Sequence, residues 1–346
     1  MDEELTNLIK KMVIDLGASE VGIVSNEMIL NGPDTIDLTY PLKTAKSAII
    51  FAVSLNQDLI DEYLGKVNQK MNLNKIRTTT FAGGIGLELE GLIRQLGYDA
   101  VALNPNYVYR FDSENGLDDR KPPLSHIFLG LISGIGFLGH NGLLITKKDG
   151  AAIVLSTVVT SAELIPTKPL NPKDNYCDKC NLCVGACIPK YLNKNEVEIS
   201  LNNLKYKTRE YKNKKRCVLV CAGYTGLNPS KKWSTWSSGR FDVLDNDEEL
   251  VESIKQHVPA YLKRKRNAGV FYHPLAPGYQ MEYSCSTCQL ICHPDKDVRK
   301  KRYNLIRSSG VVIEDEIGNR MAISPEKAEK YINSLNEDRK KLFVDE

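Results

Sequence analysis

The stretch CDKCNLCVGACIP carries Cys177, Cys180, Cys183 and Cys187 at the spacing C-x2-C-x2-C-x3-C. Thiols this dense must be held together by disulfides, by zinc or by iron–sulfur ligation. Zinc sites pair C-x2-C knuckles at a distance. The crowded spacing instead matches the bacterial ferredoxin run, in which three thiolates hold one cubane and the fourth reaches a second cluster. The usual proline after the fourth cysteine is displaced by one residue, Ile188 preceding Pro189. Downstream, SCSTCQLICHP adds Cys285, Cys288 and Cys292 as C-x2-C-x3-C, and Cys217 and Cys221 stand between the two groups. These nine cysteines are one more than two four-cysteine clusters need. The crossover of two-cluster ferredoxins assigns Cys177, Cys180, Cys183 and Cys292 to one 4Fe–4S cluster. It assigns Cys187, Cys285, Cys288 and one of Cys217 or Cys221 to the other. The choice between Cys217 and Cys221 is open, and two structural zinc sites are the alternative.

The elements that must position these thiols fall into two textures. The chain opens with MDEELTNLIKKMVIDLG, acidic and apolar at Leu5, Leu8, Ile9, Met12, Val13 and Leu16, which predicts one face of a helix rather than a leader. No segment offers the roughly 18 unbroken apolar residues of a membrane span. A cytoplasmic location is therefore expected, where thiols stay reduced and clustered cysteines mean metal or redox chemistry. Strands are predicted at 20–24, 46–55, 98–103 and 151–159. A helix is predicted over 82–97, stopping at Gly97. The segment 122–146 reads as a helix, a glycine-rich turn and a strand. Strands and helices without a regular βαβ rhythm point to an α+β domain. At IPTKPLNPKDN (165–175) three prolines mark a linker, and every cysteine lies beyond it. The expected organisation is a cysteine-free domain over 1–165, a cluster module over 166–300 with an insertion at about 190–284, and an extension over 301–346.

With 346 residues, 42% of them hydrophobic, the chain can bury a large core, and a net charge of +3 argues neither for nor against a polyanionic partner. Local basic runs, KYKTREYKNKKR (205–216), YLKRKR (261–266) and VRKKRYNLIR (298–307), are either solvated surface or a docking face for nucleic acid or an electron donor. A separate domain of this size beside the clusters implies that electrons feed chemistry and are not merely carried.

The segment 124–164 contains a G-x-G-x-x-G-x-N-G-L-L-I-T run: Gly134, Gly136, Gly139, Asn141, Gly142 and Leu143 to Thr146. Followed by both cysteine motifs, it resembles the superfamily of corrinoid-dependent iron–sulfur reductases, which contains the reductive dehalogenases and epoxyqueuosine reductase. The resemblance covers roughly residues 85–300. It implies a nitroreductase-like, corrinoid-binding α+β domain followed by a ferredoxin-like module with two 4Fe–4S clusters. It further implies a base-off cobalamin receiving single electrons from one cluster, with an external low-potential donor such as ferredoxin or flavodoxin feeding the other. Cofactor contacts are expected from Gly134, Gly136, Gly139, His140, Asn141, Gly142 and Leu143, because backbone without side chains can approach a flat macrocycle.

Two features depart from the family. Epoxyqueuosine reductases carry an acidic proton donor after the strand that precedes the glycine run, where VALNPN here places Asn104, and an amide is no acid. The export leader of respiratory dehalogenases has no counterpart in the opening residues. Proton delivery is therefore sought at Tyr107, Tyr109 and His140. His126 reads as a core histidine, and His293, next to Cys292, is placed to hydrogen-bond a cluster sulfur. Trp233, Trp236 and Arg240 in KKWSTWSSGRF either wall a cleft or pack over the clusters. The expected function is a cobalamin-dependent reductase of a small organic or modified-nucleoside substrate. A corrinoid-free electron-transfer or reactivating protein, and a tRNA epoxyqueuosine reductase, are the alternatives.

Overall fold

The computed structural model describes every residue except Met1, Asn31, Asn106, Tyr107, Asn202, Asn203, 266–269, 273–279 and Glu346. It divides into two compact units. The first comprises Met1–Leu55, Lys75–Cys180 and Val197–Thr208, the second Asn56–Asn74, Asn181–Glu196 and Arg209–Glu346.

In chain order, the first half of the elements are α1 (Glu3–Asp15), β1 (Glu20–Ser25), β2 (Ser47–Ser54), α2 (Asp58–Leu64), α3 (Lys70–Gln95), β3 (Ala100–Leu103), α4 (His126–Ile132), β4 (Phe137–Leu138), β5 (Leu144–Ile145) and β6 (Ile153–Thr160). There follow α5 (Leu182–Gly185), β7 (Leu192–Leu201), β8 (Leu204–Tyr211), α6 (Lys214–Cys221), α7 (Asp247–Lys263), β9 (Val270–Tyr272), β10 (Gln280–Glu282), α8 (Thr287–Ile291), α9 (Lys296–Arg307), β11 (Val311–Glu314), β12 (Arg320–Ile323), α10 (Pro325–Ser334) and α11 (Glu337–Lys340). Helix and sheet are mixed as expected. Among the described residues no helix is long and apolar enough to cross a membrane.

The first unit is built on an antiparallel sheet of order β1-β2-β6-β3. Strand β2 is buried along nearly its whole length, as its continuous SAIIFAV run requires of a strand covered on both faces. The side chain of Asp2 caps α1 by accepting the Leu5 N–H at 2.9 Å, and the helix buries Leu5, Ile9 and Val13. Helix α4 covers the sheet, packing Leu129, Leu131 and Ile132 with Ile50 and Ala52, and Leu201 of β7 belongs to the same core. Helix α3 ends where Gly97, at φ +90°, lets the Tyr98 N–H return to the Ile93 carbonyl at 3.2 Å. It begins twelve residues earlier than the predicted 82, because the Asn- and Thr-rich NLNKIRTTT carries little apolar periodicity.

In the second unit, short helices gather the cysteine loops. Helices α5, α8 and α9 pack on one another, α2 packs on α9, and α6 packs on α7 through Leu219, Ala222, Tyr224, Leu250 and Tyr261. A small hairpin, β11 with β12, rests its Val311 and Ile313 against Ala328 of α10.

Candidate cluster-binding site

In the first unit, the glycine run folds into the β4–β5 hairpin, registered Phe137 to Ile145 and Leu138 to Leu144. Its turn is closed by the Gly139 N–H on the Leu143 carbonyl and the Gly142 N–H on the Gly139 carbonyl, both at 2.8 Å, with Gly142 at φ +72°. The Asn141 side chain accepts the Leu143 N–H at 3.3 Å, and both His140 and Asn141 are buried. The start of the cysteine run is stitched to this hairpin. Asn175 donates to the Leu138 carbonyl at 3.2 Å and accepts the Cys177 N–H at 2.9 Å. Tyr176 meets Phe137 edge to face at 4.9 Å. The backbone N–H of His140 then donates to the Cys177 sulfur at 3.3 Å. It is the backbone of His140, beside its buried ring, that reaches a predicted ligand.

The glycines themselves are closed by the protein's own chain. A Cβ on Gly136 would stand 2.7 Å from the Ile145 carbonyl, and one on Gly139 2.6 Å from Asn141 Oδ1. One on Gly134, at φ +73°, would run into the Lys168 carbonyl. These three positions need glycine so that the hairpin can close on itself and on the linker. As an open cradle for a macrocycle the run does not fit.

His126, at the start of α4, accepts the Thr157 hydroxyl at Nδ1 (2.7 Å) and donates from Nε2 to the Asn104 carbonyl (3.1 Å). A carbonyl can only accept, which fixes the neutral tautomer. Burial pushes its pKa down to about 4. Tyr109 keeps its phenol protonated to higher pH than usual because it is desolvated. Its neighbour Arg110 is committed elsewhere, stacked 3.6 Å over the Tyr40 ring and paired with Asp112 at 3.0 Å. Tyr107 lies outside the described residues.

The boundary between the units falls inside the first cysteine motif, after Cys180. The second unit holds the other seven thiols. Cys217 and Cys221, one helical turn apart on α6, have sulfurs 3.6 Å apart. A hydrogen bond with Cys221, followed by burial, drives the Cys285 thiol well above its usual pKa. Burial does the same to Cys288, reinforced by the charge that Cys187, Cys285, Cys221 and Cys183 would carry as thiolates. Burial raises Cys187 to about 11, against the opposing pull of backbone N–H groups, among them Leu192 N–H at 3.5 Å from its sulfur. Cys187, Cys221, Cys285 and Cys288 therefore share one neighbourhood, which Cys183 also approaches through Cys288. Among the described residues no three His, Cys, Asp or Glu side chains converge as the ligands of a single ion do.

The loops that present the sulfurs turn through left-handed backbone at residues with side chains: Lys179 at φ +59°, Asn181 at +60° and Ser286 at +94°. Non-glycine residues hold such conformations only where the surroundings impose them. Gly185 is glycine because a Cβ would stand 2.7 Å from the Tyr303 hydroxyl of α9.

The basic runs supply braces for these loops that sequence reasoning did not anticipate. Arg216, fully buried beside Cys217, donates to the carbonyls of Leu244 at 2.8 Å and Asp245 at 2.5 Å, and to Asp247 at 2.5 Å. Arg302 donates to the Leu290 carbonyl at the end of α8 (3.1 Å), and Arg299 to the His293 carbonyl (3.0 Å). Arg264 donates to the Gly223 carbonyl at 3.1 Å. His293 Nδ1 accepts the Asp295 N–H at 3.1 Å, a local capping role. Trp233 and Trp236 are buried, and Trp236 donates to the Tyr63 carbonyl at 2.9 Å. Their packing favours the structural reading of that loop over a cleft wall.

No protein-family model matches the chain. It is 25% identical over 188 residues to an epoxyqueuosine reductase of Lactococcus garvieae, covering 48% of this chain and 50% of that protein. It is 33% identical over 170 residues to a tetrachloroethene reductive dehalogenase of Dehalobacter restrictus, covering 44% of this chain and 28% of that protein. A solved epoxyqueuosine reductase bound to an epoxyqueuosine-modified tRNA stem loop aligns over 97% of this chain and 74% of its own, at a TM-score of 0.45 and 14% identity. The chain spans half or less of the length of these two curated relatives. Homology to both kinds of reductase supports the superfamily that unites them.

Proposed function

We propose that this relative of the reductive dehalogenases and epoxyqueuosine reductases is an oxidoreductase whose cysteines hold two 4Fe–4S clusters. The observation that carries the reading is the grouping of Cys187, Cys221, Cys285 and Cys288, one thiol from each of two separate stretches and two from a single C-x2-C loop. Cys221, in direct contact with Cys285, is the ligand of choice, and Cys217 is the spare thiol. Cys177, Cys180, Cys183 and Cys292 are assigned to the other cluster by the crossover of two-cluster ferredoxins. When bound, such clusters supply single electrons at low potential. What the chain's own residues contribute is position and tuning. The His140 N–H lowers the charge density on the Cys177 sulfur, and the buried arginines fix the loops that present the remaining thiols. An external donor such as a ferredoxin or flavodoxin would load the first electron.

A cobalamin as electron acceptor, with a small organic or modified-nucleoside substrate, is proposed from relatedness to these reductases. The closed glycine run supplies no cradle for it. The same closed run favours a second reading, a corrinoid-free electron-transfer protein. The further alternative, a tRNA epoxyqueuosine reductase, requires a tRNA affinity that falls steeply with added salt.

Metal and corrin analysis of anaerobically prepared protein tests the proposal. Iron near two cubanes per chain is expected, about half of it lost in Cys221→Ser and all of it kept in Cys217→Ser. Zinc in place of iron defeats the cluster reading. A co-eluting corrin absorbance decides between the two functional readings.

A further inference from the structure

Helix α2 ends in a Schellman turn. The Val67 N–H bonds the Glu62 carbonyl at 2.8 Å and the Lys66 N–H bonds the Tyr63 carbonyl at 3.3 Å. The residue in the left-handed position of that turn is Lys66, at φ +62°, where glycine is the ordinary choice. A lysine stands there against its backbone preference. Its side chain is also withdrawn from water, 9% exposed, with Nζ 5.6 Å from the centroid of the buried Trp236 ring. Among the described residues Nζ has no carboxylate partner and no hydrogen bond.

A cation near a helix C-terminus gains only modestly from the helix dipole at an exposed site. That gain does not account for burying an unpaired ammonium, which costs more than it returns unless a negative group lies near. Among the described residues the one ionisable group acting favourably on the Lys66 charge is Cys285: desolvation lowers the lysine's pKa to about 7, and a thiolate at Cys285 raises it. The turn is also fixed to that cysteine. The Tyr63 hydroxyl donates to the Cys285 carbonyl at 3.1 Å, while Trp236 Nε1 holds the Tyr63 carbonyl at 2.9 Å.

We infer that Lys66 is an electrostatic positioning residue for the cluster that includes Cys285, a buried cation that makes this cluster easier to reduce than its partner. The inference rests on the two-cluster reading above. A cluster bound by four thiolates gains negative charge on reduction, and a fixed positive charge in low dielectric favours the more negative state. Electrons arriving from the donor would then settle preferentially at one of the two centres, which gives the pair a direction.

The test is an EPR-monitored redox titration of the full-length, anaerobically loaded chain as wild type, Lys66→Met and Lys66→Arg. Methionine keeps the apolar stem and removes the charge. One midpoint potential is expected to shift negative in Lys66→Met and return in Lys66→Arg, with the other potential and the iron content unchanged. Should Lys66→Met lose one cluster, Lys66→Gln is titrated beside it. Loss from both neutral variants with retention in Lys66→Arg supports a charge requirement. Two unmoved potentials, equal shifts of both, or loss of iron in the arginine variant as well overturn the inference. Zinc or iron-free wild-type protein would defeat the cluster reading itself, whereas two intact clusters with unmoved potentials defeat only the role of Lys66.

Discussion

Replacing Arg216 by methionine should destabilise the second unit by about 3 kcal/mol. The side chain is 0% exposed and spends its donors on two main-chain carbonyls, Leu244 and Asp245, and on Asp247. Methionine recovers the apolar contacts of the stem, so the loss is polar. Each carbonyl left without a donor in the interior costs roughly 1–3 kcal/mol. The carboxylate is different. Asp247 is 41% exposed and can turn to water, so the ion pair contributes no more than about 1 kcal/mol. The reasoning therefore separates two variants: Arg216→Met should lower the thermal midpoint by about 6 °C at roughly 2 °C per kcal/mol, and Asp247→Asn by less than about 2 °C. Because Arg216 opens the helix that carries Cys221, the first variant should also lose part of its iron under conditions where the second keeps it. The assay is differential scanning of anaerobic protein with metal analysis before each scan. Equal losses in both variants, or an Arg216→Met midpoint within about 1 °C of wild type, would refute the argument that carbonyl bracing holds α6.

The glycine run and a glycine elsewhere should respond oppositely to alanine. Gly136→Ala drives a Cβ against the Ile145 carbonyl and should cost about 1–3 kcal/mol, read as a lower thermal midpoint in protein with or without any cofactor. Gly84→Ala, on α3 where a Cβ would meet nothing within 4 Å, should stabilise by about 0.5–1 kcal/mol. If Gly136→Ala melts normally, closure of the hairpin is not why that residue is glycine. The depressed pKa of His126 sets a pH dependence. The unfolded chain takes up a proton below about 6.5, the folded site only near 4, so stability is whole above 6.5 and falls between these values as pH drops. The expected loss is on the order of a few kcal/mol at most, and His126→Gln should flatten that part of the stability-against-pH curve. An unchanged slope between pH 6.5 and 4 in the variant would show that His126 is not the group responsible.

The spacing that suits cluster ligation is local in the chain, which is why the cysteines were legible as a candidate constellation before any fold was known. The partners that support them were not. Arg216, Arg299 and Arg302 sit inside basic runs that read as surface, and nothing in KNKKR or RKKRY distinguishes the side chains that turn inward from neighbours that stay in water. The glycine run was recognisable by pattern, yet a pattern of absent side chains does not say what fills the space. Here it is the Ile145 and Lys168 carbonyls and Asn141, and the same letters would serve a ligand.

Lys66 and Tyr63 stand more than two hundred residues before Cys285, and no local periodicity links them. The one trace in the sequence is negative: a helix ending in Leu64-Gly65-Lys66-Val67 invites glycine to be placed at its left-handed residue, and the structure places glycine one step too early, leaving the lysine to take the strained backbone. A residue kept where its backbone is unfavourable and its charge is desolvated must be compensated by something outside the turn. In the second unit the group placed to supply it is a thiolate at Cys285, so on the two-cluster reading the charge of the cluster, rather than the stability of α2, is the quantity Lys66 acts on.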